Sequence, residues 1–447
     1  MPQSTVPSEL SRTWPPTAEE LAAGNPEHSR RTFVLTASLY LLMLAYAISV
    51  TMLGPLIPAL RSEYGLTLSQ AGLMTTLQGV GGSLSVLVGI LVADLVKRST
   101  STLVAFAIYC ASALLVVVLP HYQVLLVAFF LIGASTRLLD SLVNAYVADI
   151  HQRHRGFYLN LLHASFGVGA LLGPSLSVFV LHLNLRWSGV FVSLSAFCLC
   201  ALAFFVFAQR GFRRGQLAAV PAAAGSTPPA ARPGDLAGVR PPGAVSPFAG
   251  FTLLRDGRAL VPCLLGFLYV GFATGLSVWV PSYMHQVFER PALQASLPVS
   301  ALWVGTISGR IVFSFLSRAY RVPALLAFGN TLAATAALLA IFANTYWTLT
   351  IGLMAIGFFV GATIPLAYSL LRETYPENGG AMSSALTFFS TLGLMTIPWA
   401  AGFVAEKAGF WYGLLTLGLC PCGLAVLSVR LALTHRQLPP SKAVREH

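Results

Sequence analysis

Apolar runs long enough to cross a bilayer recur along this chain, separated by short polar breaks. Six occupy 32–58, 68–93, 101–119, 123–148, 157–182 and 187–208, and six more occupy 259–284, 295–316, 322–343, 347–368, 380–404 and 408–431. As a helix rising about 1.5 Å per residue, each spans roughly 30 Å of hydrocarbon. Between the two sets, 210–256 is crowded with Pro, Ala, Gly and Arg, as in PPAARPGDLAGVRPPG, and reads as a linker. Residues 1–31 are polar and lack the apolar centre of a cleavable signal peptide, so they read as a tail. The predicted organisation is a tail over 1–31, a six-helix bundle over 32–209, a linker over 210–256, a second bundle over 257–431 and a tail over 432–447.

The two sets of spans are versions of one another. A shift of 224 residues superposes Gln70/Gln294, Gly81/Gly305, Gly133/Gly357, Gly169/Gly393, Pro174/Pro398, Trp187/Trp411 and Gly189/Gly413. A shift of 223 pairs Tyr46 with Tyr269 and Pro58 with Pro281 in the first span of each set. With an even number of spans per half, both halves start on the same side and the repeats are parallel. The fold class predicted is an all-α polytopic membrane protein of twelve transmembrane helices in two parallel six-helix repeats. Such repeats hold their solute near mid-membrane, between the halves, and imply alternating access.

Composition agrees with the pattern. Of 447 residues, 56% are hydrophobic and 9% charged, with mean hydropathy +0.74, whereas a soluble domain carries about a quarter charged residues. The net charge of +12 would suit nucleic acid if it were clustered, but the basic residues are scattered over short loops and tails, so no nucleic-acid partner is expected. Lys97, Arg98, Arg153, Arg155, Arg318, Arg321 and Arg372 lie in loops on one side, against Arg61, Arg186, Arg290 and Lys407 on the other. The linker and tail arginines join the first group, which places both termini in the cytoplasm and the chain in the cell (inner) membrane. The six cysteines fall within apolar spans and read as packing residues. No nucleophile–base pair, metal-ligand cluster or phosphate-cradling loop is recognisable, so neither an enzyme nor a cofactor or metal is expected.

The chemistry concentrates in the fourth span, GASTRLLDSLVNAYVADI. Gly133, Arg137, Asp140 and Asn144, spaced by four, three and four, form one stripe on a helix. An ionised side chain facing lipid at mid-membrane costs about 2.5–3.5 kcal/mol even on the cautious scales, so the stripe must face protein or a wet cavity. Arg137 and Asp140 either neutralise one another or face the cavity, where Asp140 would bind and release a proton. Asn144 can donate and accept, which suits a hydroxyl-rich ligand. In the fifth span Asn160 and His163 share a face, and His163 is either a proton relay or a packing histidine. Arg310 in the eighth span has no carboxylate near it in sequence, and a gating pair across the halves in an outward-open state is one expectation. Tyr46, Tyr269, Thr363 and Tyr368 are candidate substrate contacts, whereas Trp279 and Tyr283 suit the aromatic belt at the membrane surface. Gly54, Pro55 and Pro58 either end the first helix or bend it into a gate.

These residues resemble the major facilitator superfamily and, within it, the fucose–proton symporter-like group. The likeness rests on Asp140 to Asn144, LNLLHASFGVGALLGP in span 5, WVPSY in span 7, GTISGR in span 8, GATIPLAYSLLRETYP in span 10 and TLGLMTIPWAAGFVAEKAG in span 11. Asp94 with Lys97 and Arg98 resembles the superfamily's inner loop motif, implying a gating role for Asp94. The resemblance implies that spans 1, 4, 7 and 10 line the cavity. Two acidic positions of the group fall on Gly54 and near Ala273 here, so proton coupling would rest on Asp140, with His163. The function expected is a monomeric secondary transporter for a small polar solute, a sugar, by proton symport. Proton-coupled multidrug or metabolite efflux, an uncoupled facilitator and a non-transporting sensor stay open as alternatives.

Overall fold

The computed structural model describes residues 26–92, 98–118, 121–151, 155–219, 253–317, 319–375 and 378–436. Among them the chain is helical throughout, without strands. In the first half the helices are α1 Pro26–Thr51, α2 Leu53–Tyr64, α3 Leu68–Val92, α4 Arg98–Val118, α5 Tyr122–Ile150, α6 Arg155–His182 and α7 Ser188–Ala219. In the second they are α8 Gly257–Val287, α9 Ala292–Leu316, α10 Val322–Ala343, α11 Tyr346–Val360, α12 Thr363–Thr374, α13 Gly379–Ala408 and α14 Phe410–Arg436. Eleven stretches of the described residues are long and apolar enough to cross a membrane, and α3, of 25 residues, supplies the remaining span. Twelve spans result, because α1 with α2 makes the first and α11 with α12 the tenth.

Both split spans have the same cause. Pro55 has no N–H for the Thr51 carbonyl, and Pro365 has none for the Gly361 carbonyl, so the helix ladder opens one turn before each proline. Elsewhere the helices outrun the sequence estimate. Helix α7 continues through 210–219, counted above as linker, α1 begins within the expected tail, and α14 runs to Arg436. Propagating an existing helix into water costs little, and Arg210, Arg213 and Arg214 keep their heads hydrated there.

The repeat is visible in packing and hydrogen bonding. Gly81 and Gly133 let α3 and α5 touch backbone to backbone, against Phe130 and Gln78; Gly305 and Gly357 do the same for α9 and α11, against Met354 and Leu302. Gly169 meets Leu44 where Gly393 meets Phe267. The Tyr122 hydroxyl donates to the Gln70 carbonyl at 3.0 Å, and 224 residues later Tyr346 donates to Gln294 at the same distance. Small residues rather than hydrophobicity drive such helix contacts in lipid.

The halves meet through α3 with α13, α6 with α9, and α2 with α8. On the face away from the chain ends, here the distal face, they are sealed. Gly54 of α2 packs on the Ser277 carbonyl of α8, whose helical donor is replaced by Pro281. The Ser69 amide and hydroxyl, opening α3, donate to Glu406 of α13 at 2.9 and 2.6 Å. Gly72 and Gly402 allow the same two helices to close. Trp279 belongs to this seal, against Gly72, and Tyr283 to the packing of the second half, not to an interfacial belt: both are buried, with Trp279 Nε1 donating to the Pro398 carbonyl at 2.7 Å and the Tyr283 hydroxyl to Asn344 Oδ1 at 2.7 Å. Toward the termini face, neither α5 nor α12 makes a comparable contact with the opposite half among the described residues. Among the described residues the molecule is closed distally and parted on the termini face.

Candidate functional site

A cavity of about 180 Å³ lies between the halves, above that parting. It is lined by Tyr46 and Val50 of α1, Gln78 of α3, Gly133, Thr136 and Arg137 of α5, and Phe166 of α6. From the other half come Tyr269, Val270, Ala273, Thr274 and Ser277 of α8, Trp303 and Arg310 of α9, Ile364 of α12 and Leu394 of α13. The volume holds on the order of ten waters, and so a solute of about that many non-hydrogen atoms.

The stripe of α5 enters the wall of this space with Gly133 and Arg137 and continues beyond the lining to Asp140 and Asn144. Arg137 Nη1 stands 3.9 Å from Asp140 Oδ2, and the two side chains keep 20% and 28% of their surface accessible although they sit inside a helical bundle. Asn144 Nδ2 donates to Asp140 Oδ1 at 2.9 Å and to its backbone carbonyl at 2.8 Å. Asp140 thus accepts from the Asn144 amide on the next turn and stands at ion-pair range from the Arg137 guanidinium, and the carboxamide of Asn144 is engaged rather than held out for a ligand. Tyr46 and Tyr368 lie within electrostatic range of both Arg137 and Asp140. His163, accessible on α6, lies within range of Asp140 and of Arg310 from the other half.

The gating pair expected of Arg310 belongs to the outward-open state, and this distally closed arrangement does not form it. Among the described residues Arg310 forms no ion pair; its Nε donates to the Gly361 carbonyl at 3.0 Å. That carbonyl is the one Pro365 leaves without a helical donor, so the break between α11 and α12 holds the base of the guanidinium while its tip reaches the cavity. Thr363 departs from expectation. It is buried, and its hydroxyl donates to Asn330 Oδ1 at 2.9 Å while Asn330 Nδ2 donates to Ser428 at 2.7 Å, a scaffold contact among α10, α12 and α14. Tyr368 shares a 2.7 Å hydrogen bond with Thr387 and lines a shallow opening with Pro365, Ser369, Arg372 and Glu373. Asp94 and the side chain of Asn160 lie outside the described residues.

Sequence reading missed the aromatic wall. Tyr46 meets Phe166 edge-on at 5.3 Å between ring centroids, and Phe166 meets Trp303 at 6.2 Å. Trp303 stands seven residues, two turns, before Arg310, a spacing that would have put both on one face. Its Nε1 is buried without a hydrogen-bond partner. Gln78 was also missed, although a glutamine within an apolar span is a signal in itself.

Comparison with known proteins agrees with this architecture. A family model described as Major Facilitator Superfamily matches residues 39–325 and 291–447, and the chain belongs to that family. No curated protein matches by sequence. A crystal structure of a variant of the nucleoside transporter NupG is similar in fold, with TM-score 0.69 over 89% of this chain and 99% of that one, at 12% identity. Membrane transport on a major-facilitator scaffold is the activity these findings support.

Proposed function

We propose that this member of the major facilitator superfamily is a secondary active transporter that carries a small polar solute across the cytoplasmic membrane by alternating access. The observation that carries the reading is the cavity between the halves, sealed distally, without a comparable seal toward the termini among the described residues, and lined by Arg137, with Asp140 and Asn144 next on the same helix stripe. With the termini in the cytoplasm, as the loop charges favour, this is the inward-facing state. The solute class is a sugar or similar ring-bearing polyol: aromatic faces from Tyr46, Phe166 and Trp303 would cover its apolar side, and hydroxyls, amides and guanidinium groups would meet its polar rim. A nucleoside, the solute in the name of the structural neighbour, is the second candidate on the same aromatic wall.

Asp140 and His163 are proposed to couple transport to protons. Asp140 keeps 28% of its side-chain surface accessible and pairs with Arg137 of the cavity wall, and His163 lies within electrostatic range of it. The test is uptake of labelled monosaccharides and one nucleoside into proteoliposomes, with and without an inward proton gradient, for the native protein and Asp140→Asn. Gradient-driven accumulation that disappears in the variant is expected. Equal, gradient-independent equilibration in both would remove the coupling role and leave a facilitator, and no flux of any solute would refute uptake of this class.

A further inference from the structure

Resting on that transport cavity, the charge count along its walls narrows the solute. Among the described residues, the cavity lining holds two charged side chains, Arg137 on α5 and Arg310 on α9; Asp140 lies 3.9 Å from Arg137, and His163 is within electrostatic range of Asp140 and Arg310. Arg137 and Asp140 balance. Arg310 does not: among the described residues it has no carboxylate partner, and only its Nε is engaged, by a neutral carbonyl. Its two terminal nitrogens therefore carry N–H groups with no protein acceptor. A part-buried cation without a counter-charge gives up some of its hydration, and that cost falls when a counter-charge arrives.

Other unpaired polar groups at the site can donate as well. Trp303 Nε1 is buried without a partner on the same helix face as Arg310. The hydroxyls of Tyr46 and Tyr269, both lining the cavity, donate to no acceptor among the described residues. The cavity thus offers a positive fork and several free donors, while no carboxylate lines it among the described residues and the nearby Asp140 already pairs with Arg137 and accepts from Asn144. A planar guanidinium with two free ends matches a carboxylate held bidentately.

We infer that the transported solute is a small organic anion bearing a carboxylate, which Arg310 binds from α9 while Trp303 donates to the same group or to a neighbouring oxygen. The remainder of the solute, a ring or short hydroxylated chain, lies against the Tyr46–Phe166–Trp303 wall. A sugar acid fits where a neutral sugar would leave Arg310 unanswered.

The experiment compares three molecules built on one ring that differ in charge: glucuronate, glucose and glucosamine, with benzoate as a carboxylate lacking hydroxyls. Binding to the purified full-length protein in detergent is read by calorimetry, and uptake into proteoliposomes is read in parallel. Preference for glucuronate or benzoate over glucose by tenfold or more is expected, with that preference lost in Arg310→Gln and only partly restored in Arg310→Lys. Trp303→Phe, which keeps the ring and deletes the N–H, is expected to weaken the carboxylate several-fold, and it remains informative if the arginine variants fail to fold. Glucose bound or carried as well as glucuronate, a preference for glucosamine, or carboxylate binding unchanged in Arg310→Gln or Trp303→Phe would overturn the inference. Glucose carried alone would do so while leaving the transporter reading intact. No binding and no flux for any of the four would remove the transport-site reading along with it.

Discussion

Glycine 54 offers the sharpest test of the conformational reading, because its close contact joins the two halves. A methyl added there would overlap the Ser277 carbonyl, meeting its carbon at 3.1 Å and Pro281 Cγ at 3.3 Å. Ordinary contacts lie at about 3.4–4 Å, and the obstacle is backbone, which cannot swing aside as a flexible side chain would. Overpacking of this kind costs about 1–3 kcal/mol. The cost falls on the distally closed state alone, since α2 and α8 must separate when that face opens. Any gain in helix propensity from replacing glycine applies to both states and cancels. Gly54→Ala should therefore shift the balance toward the distally open state by a factor of roughly 5–150, at about 1.4 kcal/mol per tenfold. The assay is labelling of Ser296→Cys, buried beside the seal, by a membrane-impermeant maleimide in a background without the native cysteines. Faster labelling in Gly54→Ala is expected. Gly133→Ala is the control, because its obstacle, the Gln78 backbone, belongs to the same half and moves with it. It should lower thermal stability and leave the labelling rate alone. An unchanged rate in a well-folded Gly54→Ala protein, or equal acceleration in both variants, would refute the claim that the seal at Gly54 is specific to one state.

Two further outcomes follow from contacts outside the cavity. Thr363→Val should cost about 1–3 kcal/mol by leaving Asn330 short of a donor, seen as a lower melting temperature, with solute affinity unchanged; a loss of affinity at native stability would return Thr363 to the binding site. At the start of α8, Asp256 caps the helix by accepting from the Arg258 amide and also accepts from the Tyr375 hydroxyl at 2.6 Å. Burial pushes that carboxyl upward, but the hydrogen bonds from Tyr375 and Arg258 outweigh it and bring it down to about 2. A depressed carboxyl stabilises the fold above its unfolded value, near 4, and loses that contribution as pH falls toward 2. The melting deficit of Tyr375→Phe should accordingly be full at pH 6 and shrink below about pH 4, and a deficit independent of pH would show that the bond is unrelated to the charge on Asp256.

Twelve spans, two parallel repeats and a charged stripe in the fourth span were legible in the residues alone, because the physics behind them is local. The cost of placing Arg137 and Asp140 in lipid depends on the bilayer and not on any partner, so their presence in an apolar span already required a protein-lined or wet surface. Helical spacing then put Gly133, Asp140 and Asn144 on that surface. The glycine pairs of the repeat could be read for the same reason: close helix approach demands a missing side chain wherever it occurs. Direction around a helix is another matter. Nothing in WVPSYM separates a belt tryptophan from one that donates to the Pro398 carbonyl, and nothing in GATIPL shows that Thr363 turns to Asn330 while Ile364 turns to the cavity. Those outcomes depend on which neighbour lies opposite, which only the assembled bundle decides. The hold on Arg310 lies between these cases, since Pro365 announces an orphan carbonyl at Gly361 but the donor comes from 51 residues earlier in the chain. Least legible of all was the state, closed distally and parted toward the termini. One sequence serves both states of an alternating-access cycle, and the choice between them rests on a small difference among contacts between the halves.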